Sequence, residues 1–436
     1  MSSINRAIRT RVQTHEGASV PMISAEKQLN RMVLASLLWE KQFYVDGVEH
    51  AKAVADLVAK VSAEKVSALA IKAREQFKLR HVPLLLCREM ARNGKLKADV
   101  LNAVIQRADE MGEFLSIYWS EGKTAISNQV KKGLASAFVR FNEYQLAKND
   151  KNSASVKMRD VMFLAHPKPQ SPEQEALFKR VANDELAVPD TWETQLSSGA
   201  DKKETFTRLM AEKKLGALAF LRNLRNMVQA GVDESEIRAY STVVNVDRVL
   251  PFRYVAAARI VPQFEDMLEV MMFKSLAGAE KFKGKTIILV DVSGSMFGCS
   301  VSQKSDLDRF DAAAALAMLC KEQCEQVEVY SFSNTLARVA PRSGFALREA
   351  IFSSQEHGGT ELGKAVNKLH LTTEYDRLIV ITDEQTRDRV PSPKGKGYVL
   401  NVGSYQNGIN HSAWTTITGF SEAVMDYIRE SERDAG

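Results

Sequence analysis

The string TIILVDVSGSM, Thr286 to Met296, constrains this chain more than any other. Five aliphatic and β-branched residues read as a buried strand, and it runs straight into Asp291, Ser293 and Ser295. A carboxylate and two hydroxyls presented at a strand end make half of an octahedral oxygen cage for a hard divalent cation. Two more oxygen donors come from later segments. Thr360 stands in HGGTEL, where Gly358 and Gly359 permit close backbone approach, and Asp383 closes the apolar strand RLIVITD. A metal ion is therefore expected at Asp291, Ser293, Ser295, Thr360 and Asp383. Three other readings compete. Ser293 and Ser295 as helix caps explain each residue singly but not the set of five. A serine hydrolase built on Ser293, His357 and Asp383 wants Gly two places before its nucleophile, where Asp291 stands. A haloacid-type phosphatase wants a second Asp in place of Ser293.

Downstream, strands alternate with helices. Asp306 or Asp308 can cap a helix over Arg309 to Cys324, with Ala312, Leu316, Leu319 and Cys320 on one face. Val327 to Ser333 reads as a strand, Leu362 to Leu369 as a helix, Arg377 to Thr382 as a strand, GYVLNVGS as another strand, and Phe420 to Ile428 as a final helix. This order predicts an α/β, doubly wound, mainly parallel sheet with ligands at the strand C-termini. The segment resembles a von Willebrand factor A domain, and its five oxygen residues match that family's metal-ion-dependent adhesion site one for one. The resemblance implies Mg²⁺ with one coordination position left for an acidic group on a protein partner, so binding and not catalysis.

The 436 residues are enough for two or more domains. Charge is divided unevenly: residues 1–285 carry a net +10 and residues 286–436 a net −5. A basic N-terminal part is compatible with a polyanionic partner, and equally with a solvated surface. No apolar run approaches the roughly 20 residues that span a bilayer, and no secretory signal opens the chain, so no membrane partner is expected. Cys87, Cys299, Cys320 and Cys324 form no C-x-x-C pair and read as reduced thiols of a cytoplasmic protein.

Residues from about 25 to 280 read almost wholly as short helices. Leu29, Met32, Val33, Leu37 and Phe43 mark one amphipathic face, and Val54, Leu57, Val58 and Val61 another. Val66, Leu69 and Phe77, then Leu84 to Met90, Leu101 to Ile105, Leu215 to Val228 and Phe264 to Leu276 continue the series. Breaks are expected at Asp46-Gly47, Asn93-Gly94, Gly112, Gly122, His166-Pro167, Gly199 and Gly231. Such a run predicts a helical-repeat solenoid, with a globular helical bundle as the alternative. Four strings within it, Thr14 to Gly47, LAHPKP (Leu164 to Pro169), GALAFLRNLRNM (Gly216 to Met227) and VLPFRYVAAAR (Val249 to Arg259), resemble the TROVE module. Followed by an A domain, this is the architecture of the Ro autoantigen family, in its bacterial and phage branch.

That resemblance implies a HEAT-like helical ring over residues 1–280 and an A domain over 281–436. It also implies an RNA-binding protein of non-coding RNA surveillance, monomeric and without chemistry of its own. A basic central hole would take single-stranded 3′ ends of misfolded RNA. An outer face would hold structured Y-like small RNA, and a 3′ exonuclease such as polynucleotide phosphorylase would be a partner. The family's hole-lining basic position falls on Arg140 and its LxxHxKP histidine on His166, with Lys168 two places on.

The residues suit that task. Lys131, Lys132, Arg140, Lys148, Lys151, Lys157 and Arg159 cluster before LAHPKP, a pattern fit for tracking phosphates. On one continuous helix Lys132 and Arg140 would share a face. Phe138 and Phe141 read as core, while Tyr144, where some relatives carry a basic group, is free to stack on a base. His166 beside Pro167 is equally suited to capping a helix end. A second basic set, Lys202, Lys203, Arg208, Lys213, Lys214, Arg222 and Arg225, is either solvated surface or more of the RNA face. The competing overall reading is a protein-interaction scaffold driven by the metal site, for which the basic clustering would be unnecessary.

Overall fold

Short amphipathic helices account for the first part of the chain. The structure, a computed structural model, describes residues 24–35, 47–150, 154–247, 249, 251–278, 280–298, 307–383, 386–402, 413–418 and 423–433. Lys151, Leu37, Phe43, Cys299, Asp306, Phe420 and most of the Thr14–Gly47 string lie outside the described residues. Two compact units are built around Tyr44–Val246 and Asp247–Gly436.

In the first unit the helices are α1 (Ala25–Ala35, of which Gln28–Leu34 belong here), α2 (Gly47–Lys60), α3 (Ala63–Glu75), α4 (His81–Arg92), α5 (Ala98–Val104), α6 (Asp109–Tyr118) and α7 (Asn128–Phe138). They continue as α8 (Glu143–Asn149), α9 (Met158–Ala165), α10 (Pro172–Asn183), α11 (Trp192–Ser197), α12 (Lys202–Ala211), α13 (Ala217–Gln229) and α14 (Glu234–Val243). Helix α3 packs on α5, α5 on α7 and α7 on α9, while α2 packs on α4 and α4 on α6. Over α2 to α7, and again at α7 with α9, helices thus meet the one two places along, as stacked helical pairs require. No tight sequence period is needed, because the stack asks only for an apolar face on each helix.

Gly94, Gly122, Gly199 and Gly231 follow helix ends with positive φ, as expected. Gly112 does not: it lies inside α6, buried. A Cβ there would stand 2.7 Å from the carbonyl oxygen of Val156, so this glycine is kept for close backbone packing and not for a turn.

The second unit opens with α15 (Pro251–Ile260) and α16 (Glu265–Leu276) and is centred on a sheet. Its strands are β1 (Phe282–Asp291), β2 (Cys324–Phe332), β3 (Leu336–Arg338), β4 (Arg377–Thr382), β5 (Lys396–Asn401) and β6 (Thr415–Thr418). Their order is β3-β2-β1-β4-β5-β6, parallel throughout except for the antiparallel edge strand β3. Helices α17 (Arg309–Glu322), α18 (Gly344–Phe352), α19 (Leu362–Thr372) and α20 (Ala423–Arg433) complete it. On one side of the sheet Ile287, Leu289, Leu378, Val380 and Val399 pack with Leu362, Val366 and Leu369 of α19.

Helix α17 departs from its expected one-sided stripe, since Arg309 through Cys320 are all buried. The sheet takes one side, and α15 and α18 cover the rest. Buried Asp311 anchors this packing by accepting from Arg259 of α15 and, at 2.9–3.0 Å, from Arg348 of α18. Glu269 of α16 accepts the Phe345 N–H at the start of α18, 2.9 Å away. Helices α15 and α16 therefore pack with the sheet unit, although they precede the 280/281 boundary that the resemblance implied.

Candidate metal site and nucleic-acid face

Strand order reverses between β1 and β4, so their C-terminal ends open the crevice where a doubly wound sheet binds ligands. Asp291 is the last residue of β1 and Asp383 the first after β4, and both are fully buried. The Asp291 carboxylate is held from two sides. Thr382 Oγ1 donates to Oδ2 at 2.6 Å, and the Ser293 N–H donates to Oδ1 at 2.8 Å. A single 3₁₀ turn, Gly294–Met296, then brings Ser293 Oγ and Ser295 Oγ to 3.3 Å. The turn is laid against the 356–361 loop, since the Gly294 N–H donates to the Gly358 carbonyl at 3.0 Å. Buried Thr360 follows two residues after that contact, with its carbonyl accepting from the Arg387 N–H at 3.0 Å.

The two alternative uses of these residues are not what the geometry shows. Ser293 makes no side-chain cap bond to the following turn, so its hydroxyl is not spent on capping. His357 turns its Nδ1 to the Val292 carbonyl, 3.0 Å away, which can only accept, and so does not present that nitrogen to a serine.

Burial pushes the Asp291 carboxyl up to about 6, and the nearby Asp383 charge adds to the rise against the hydrogen bonds from Ser293 and Thr382. One guanidinium answers the two acids. Arg309, first residue of α17, donates from Nη1 to Asp383 Oδ2 at 3.0 Å and to the Ser295 carbonyl at 3.3 Å. Two buried carboxylates against one buried arginine leave a negative balance in an all-oxygen pocket. That donor chemistry fits a hard divalent cation. Arg309 and Thr382 were not singled out from the sequence. The DRFD start of α17 and the Thr before Asp383 were the available signals.

The candidate RNA residues all lie in the first unit. Lys131 and Lys132 sit on α7, Lys132 exposed and Lys131 half-buried. Arg140 does not share their helix face as expected, because α7 ends at Phe138. Its guanidinium instead donates to the carbonyls of Asn102, at 2.7 Å, and Ile105 at the C-terminal end of α5. Phe138 and Phe141 are core. Tyr144 is 45% exposed, with Lys148 Nζ 5.5 Å from its ring centroid. Lys157 opens α9 and its Nζ lies 3.9 Å from Asp184. His166 ends α9 in the left-handed region, φ 52°, exposed together with Lys168.

One residue escaped the sequence reading. Phe163 is 51% exposed on α9, and the Arg159 guanidinium sits 5.7 Å from its ring centroid. Arg159, Phe163 and His166 are four and three residues apart, so they form one exposed stripe. The i, i+4, i+7 spacing was the missed signal. The second basic set divides. Arg208 and Lys214 are occupied by Asp190 and Glu212, and the hydrogen bonds from Arg208 and then Lys214 hold Asp190 far below the usual carboxylate range. Arg222 and Arg225 remain exposed on α13.

Comparison with known proteins adds three findings. The family model of the von Willebrand factor type A domain matches residues 286–385, a span that includes all five metal-site candidates. The TROVE domain model matches residues 179–270, beyond the α7–α9 residues. The crystal structure of the Ro (RSR) protein of Deinococcus radiodurans is similar in fold, with a TM-score of 0.68 at 18% identity, over 93% of this chain and 98% of that one. No curated protein matches the chain.

Proposed function

Because the chain joins a TROVE domain to a von Willebrand factor type A domain, we propose that it is an RNA-binding protein of non-coding RNA quality control, taking single-stranded 3′ ends on its helical unit. The observation that carries this reading is the α9 stripe. A half-exposed phenylalanine between Arg159 and His166 offers what base stacking beside a phosphate needs. Lys168 extends the stripe, and Lys131 and Lys132 stand on α7, which packs against α9. Arg140 contributes by ordering the end of α5. The retention of structured Y-like RNA and delivery to a 3′ exonuclease follow from the family resemblance and belong to this proposal.

In the second unit Asp291, Ser293, Ser295, Thr360 and Asp383 would hold a divalent ion, Mg²⁺ by donor chemistry. Bound there, it supplies a Lewis-acidic position for an acidic group of a protein partner. The chain's own part is to orient and balance. Thr382 and the Ser293 N–H fix the Asp291 carboxylate, and Arg309 neutralises part of the charge on Asp383.

The test is a binding titration with a duplex carrying a single-stranded 3′ tail against the same duplex blunt-ended, each with Mg²⁺ and with chelator. Preference for the tailed RNA in both conditions is expected. Equal binding of the two duplexes would reject 3′-end recognition, and no RNA binding at all would reject the RNA reading.

A further inference from the structure

The metal-site reading calls for an acidic group on a partner but leaves open what stands next to that group. The rim of the site bears on this. On one side Phe297, Phe352 and His357 form an aromatic wall: their centroids are 4.3 Å apart for Phe297–His357, 4.8 Å for Phe352–His357 and 5.7 Å for Phe297–Phe352. Buried Phe310 supports both phenylalanines from beneath, at 4.9 Å and 5.8 Å. Phe352 is nonetheless 41% exposed, and Phe297 and His357 are half-buried. The wall is tied to the metal loop by the His357–Val292 hydrogen bond, one residue beyond Asp291.

Arg387 also borders the site. Its N–H is bonded to the Thr360 carbonyl, and its Nη1 would stand 3.5 Å from a Cβ placed on Gly359. Its side chain is exposed, and none of the ion pairs among the described residues occupies it. An exposed positive group and a partly exposed aromatic wall are thus carried beside the segments that supply the oxygen donors.

We propose that this rim selects the partner of the metal site: a protein segment in which an acidic residue directly adjoins a large apolar or aromatic one. The inference rests on the metal-site reading. Arg387 supplements the attraction for the carboxylate, and Phe297 and Phe352 lose exposed surface to the neighbouring side chain. A phosphate with a stacked base would meet the same groups. The net −5 of residues 286–436 disfavours a long polyanion over a single carboxylate.

The probes are four fluorescent hexapeptides of Gly and Ser with a central Phe-Asp, Ala-Asp, Phe-Asn or Ala-Asn, and a nine-nucleotide oligoadenylate. They are titrated by anisotropy against the full chain, with Mg²⁺ and with chelator, beside calorimetry of Mg²⁺ alone. The Phe-Asp peptide is expected to bind roughly tenfold more tightly than Ala-Asp, the scale of partly burying one phenyl ring, and only with Mg²⁺. Phe352→Ala should bring Phe-Asp binding down to that of Ala-Asp measured in the same variant, and Arg387→Ala should weaken both acidic peptides. Mg²⁺-dependent binding of Phe-Asp and Ala-Asp with equal affinity overturns the inference and leaves the metal site standing, as does Mg²⁺ binding without any peptide binding. Mg²⁺-dependent capture of the oligoadenylate by the Asp-site rim, lost in Phe352→Ala, assigns the wall to RNA and also overturns it. Absence of Mg²⁺ binding removes the metal-site reading and this inference together. The peptide comparison in the unmodified chain decides the matter even if Phe352→Ala fails to fold.

Discussion

At the scale of single residues, Arg140 and His166 show how a side chain divides between architecture and binding. Arg140 donates to two carbonyls that end α5, so Arg140→Ala removes a helix terminator as well as a cation. It is expected to cost about 1 kcal/mol of stability in urea unfolding, alongside any loss of RNA affinity. His166 holds the left-handed C-cap of α9, a place glycine fills more easily. His166→Gly should therefore leave the unfolding midpoint unchanged or higher. Weaker binding of tailed RNA by that variant would then report a lost contact and not a damaged fold. Asp291 obeys a different balance. Its folded carboxyl titrates near 6 and its unfolded one at the ordinary 3.8, so over that interval the folded state binds more protons than the unfolded. Without metal, stability is expected to fall as pH rises through this window. A cation needs the ionised carboxylate, so Mg²⁺ affinity should rise with pH up to about 6 and then level off. Calorimetry at pH 5, 6 and 7 checks the sign, and Asp291→Ala should abolish the signal.

At the scale of elements, local pattern and tertiary demand agree in most places and part in a few. The strand over Arg377 to Thr382 was legible from its unbroken apolar run, the helix start at Arg309 from its Asp308 cap, and the one at Leu362 from the glycines before it and its apolar face. Strand β3 and helix α18 were not: one is a three-residue edge strand, and the other donates its Phe345 N–H to Glu269 of α16, remote in sequence. Gly112 was misread as a break for a similar reason. Its meaning lies in a contact with Val156, which is remote in sequence. Gly112→Ala is expected to destabilise the helical unit by about 1–3 kcal/mol through overpacking, measured by chemical denaturation. An unchanged midpoint would show that the α6 contact yields freely.

At the scale of the whole molecule, the two proposed sites fall on different units. RNA binding on the helical unit should depend on counterion release. With about four phosphates engaged by Lys131, Lys132, Arg159 and Lys168, the slope of log affinity against log salt should be about −3 for a single strand. A flat response would deny the phosphate role of these residues. The proposed metal site would draw its donors from β1, the residue after β4 and the 356–361 loop of the second unit, and it shares no residue with the proposed RNA site, so Asp291→Ala is expected to leave RNA affinity within about twofold of the parent by the same titration. A large RNA defect in folded Asp291→Ala would mean that the units cooperate.

The five oxygen residues, the alternation of strand and helix and the run of amphipathic helices are properties of sequence, because periodicity and strand-end chemistry are local. What surrounds those residues was decided only by tertiary structure. Arg309 reaches Asp383 across 74 positions, and Thr382 reaches Asp291 across 91. Arg140 turns from a helix face to the end of α5, and Phe297 joins Phe352 and His357 at the rim. No local pattern encodes such pairings. They arise when parallel strands far apart in the chain end side by side and when stacked helices bring one helix end against another.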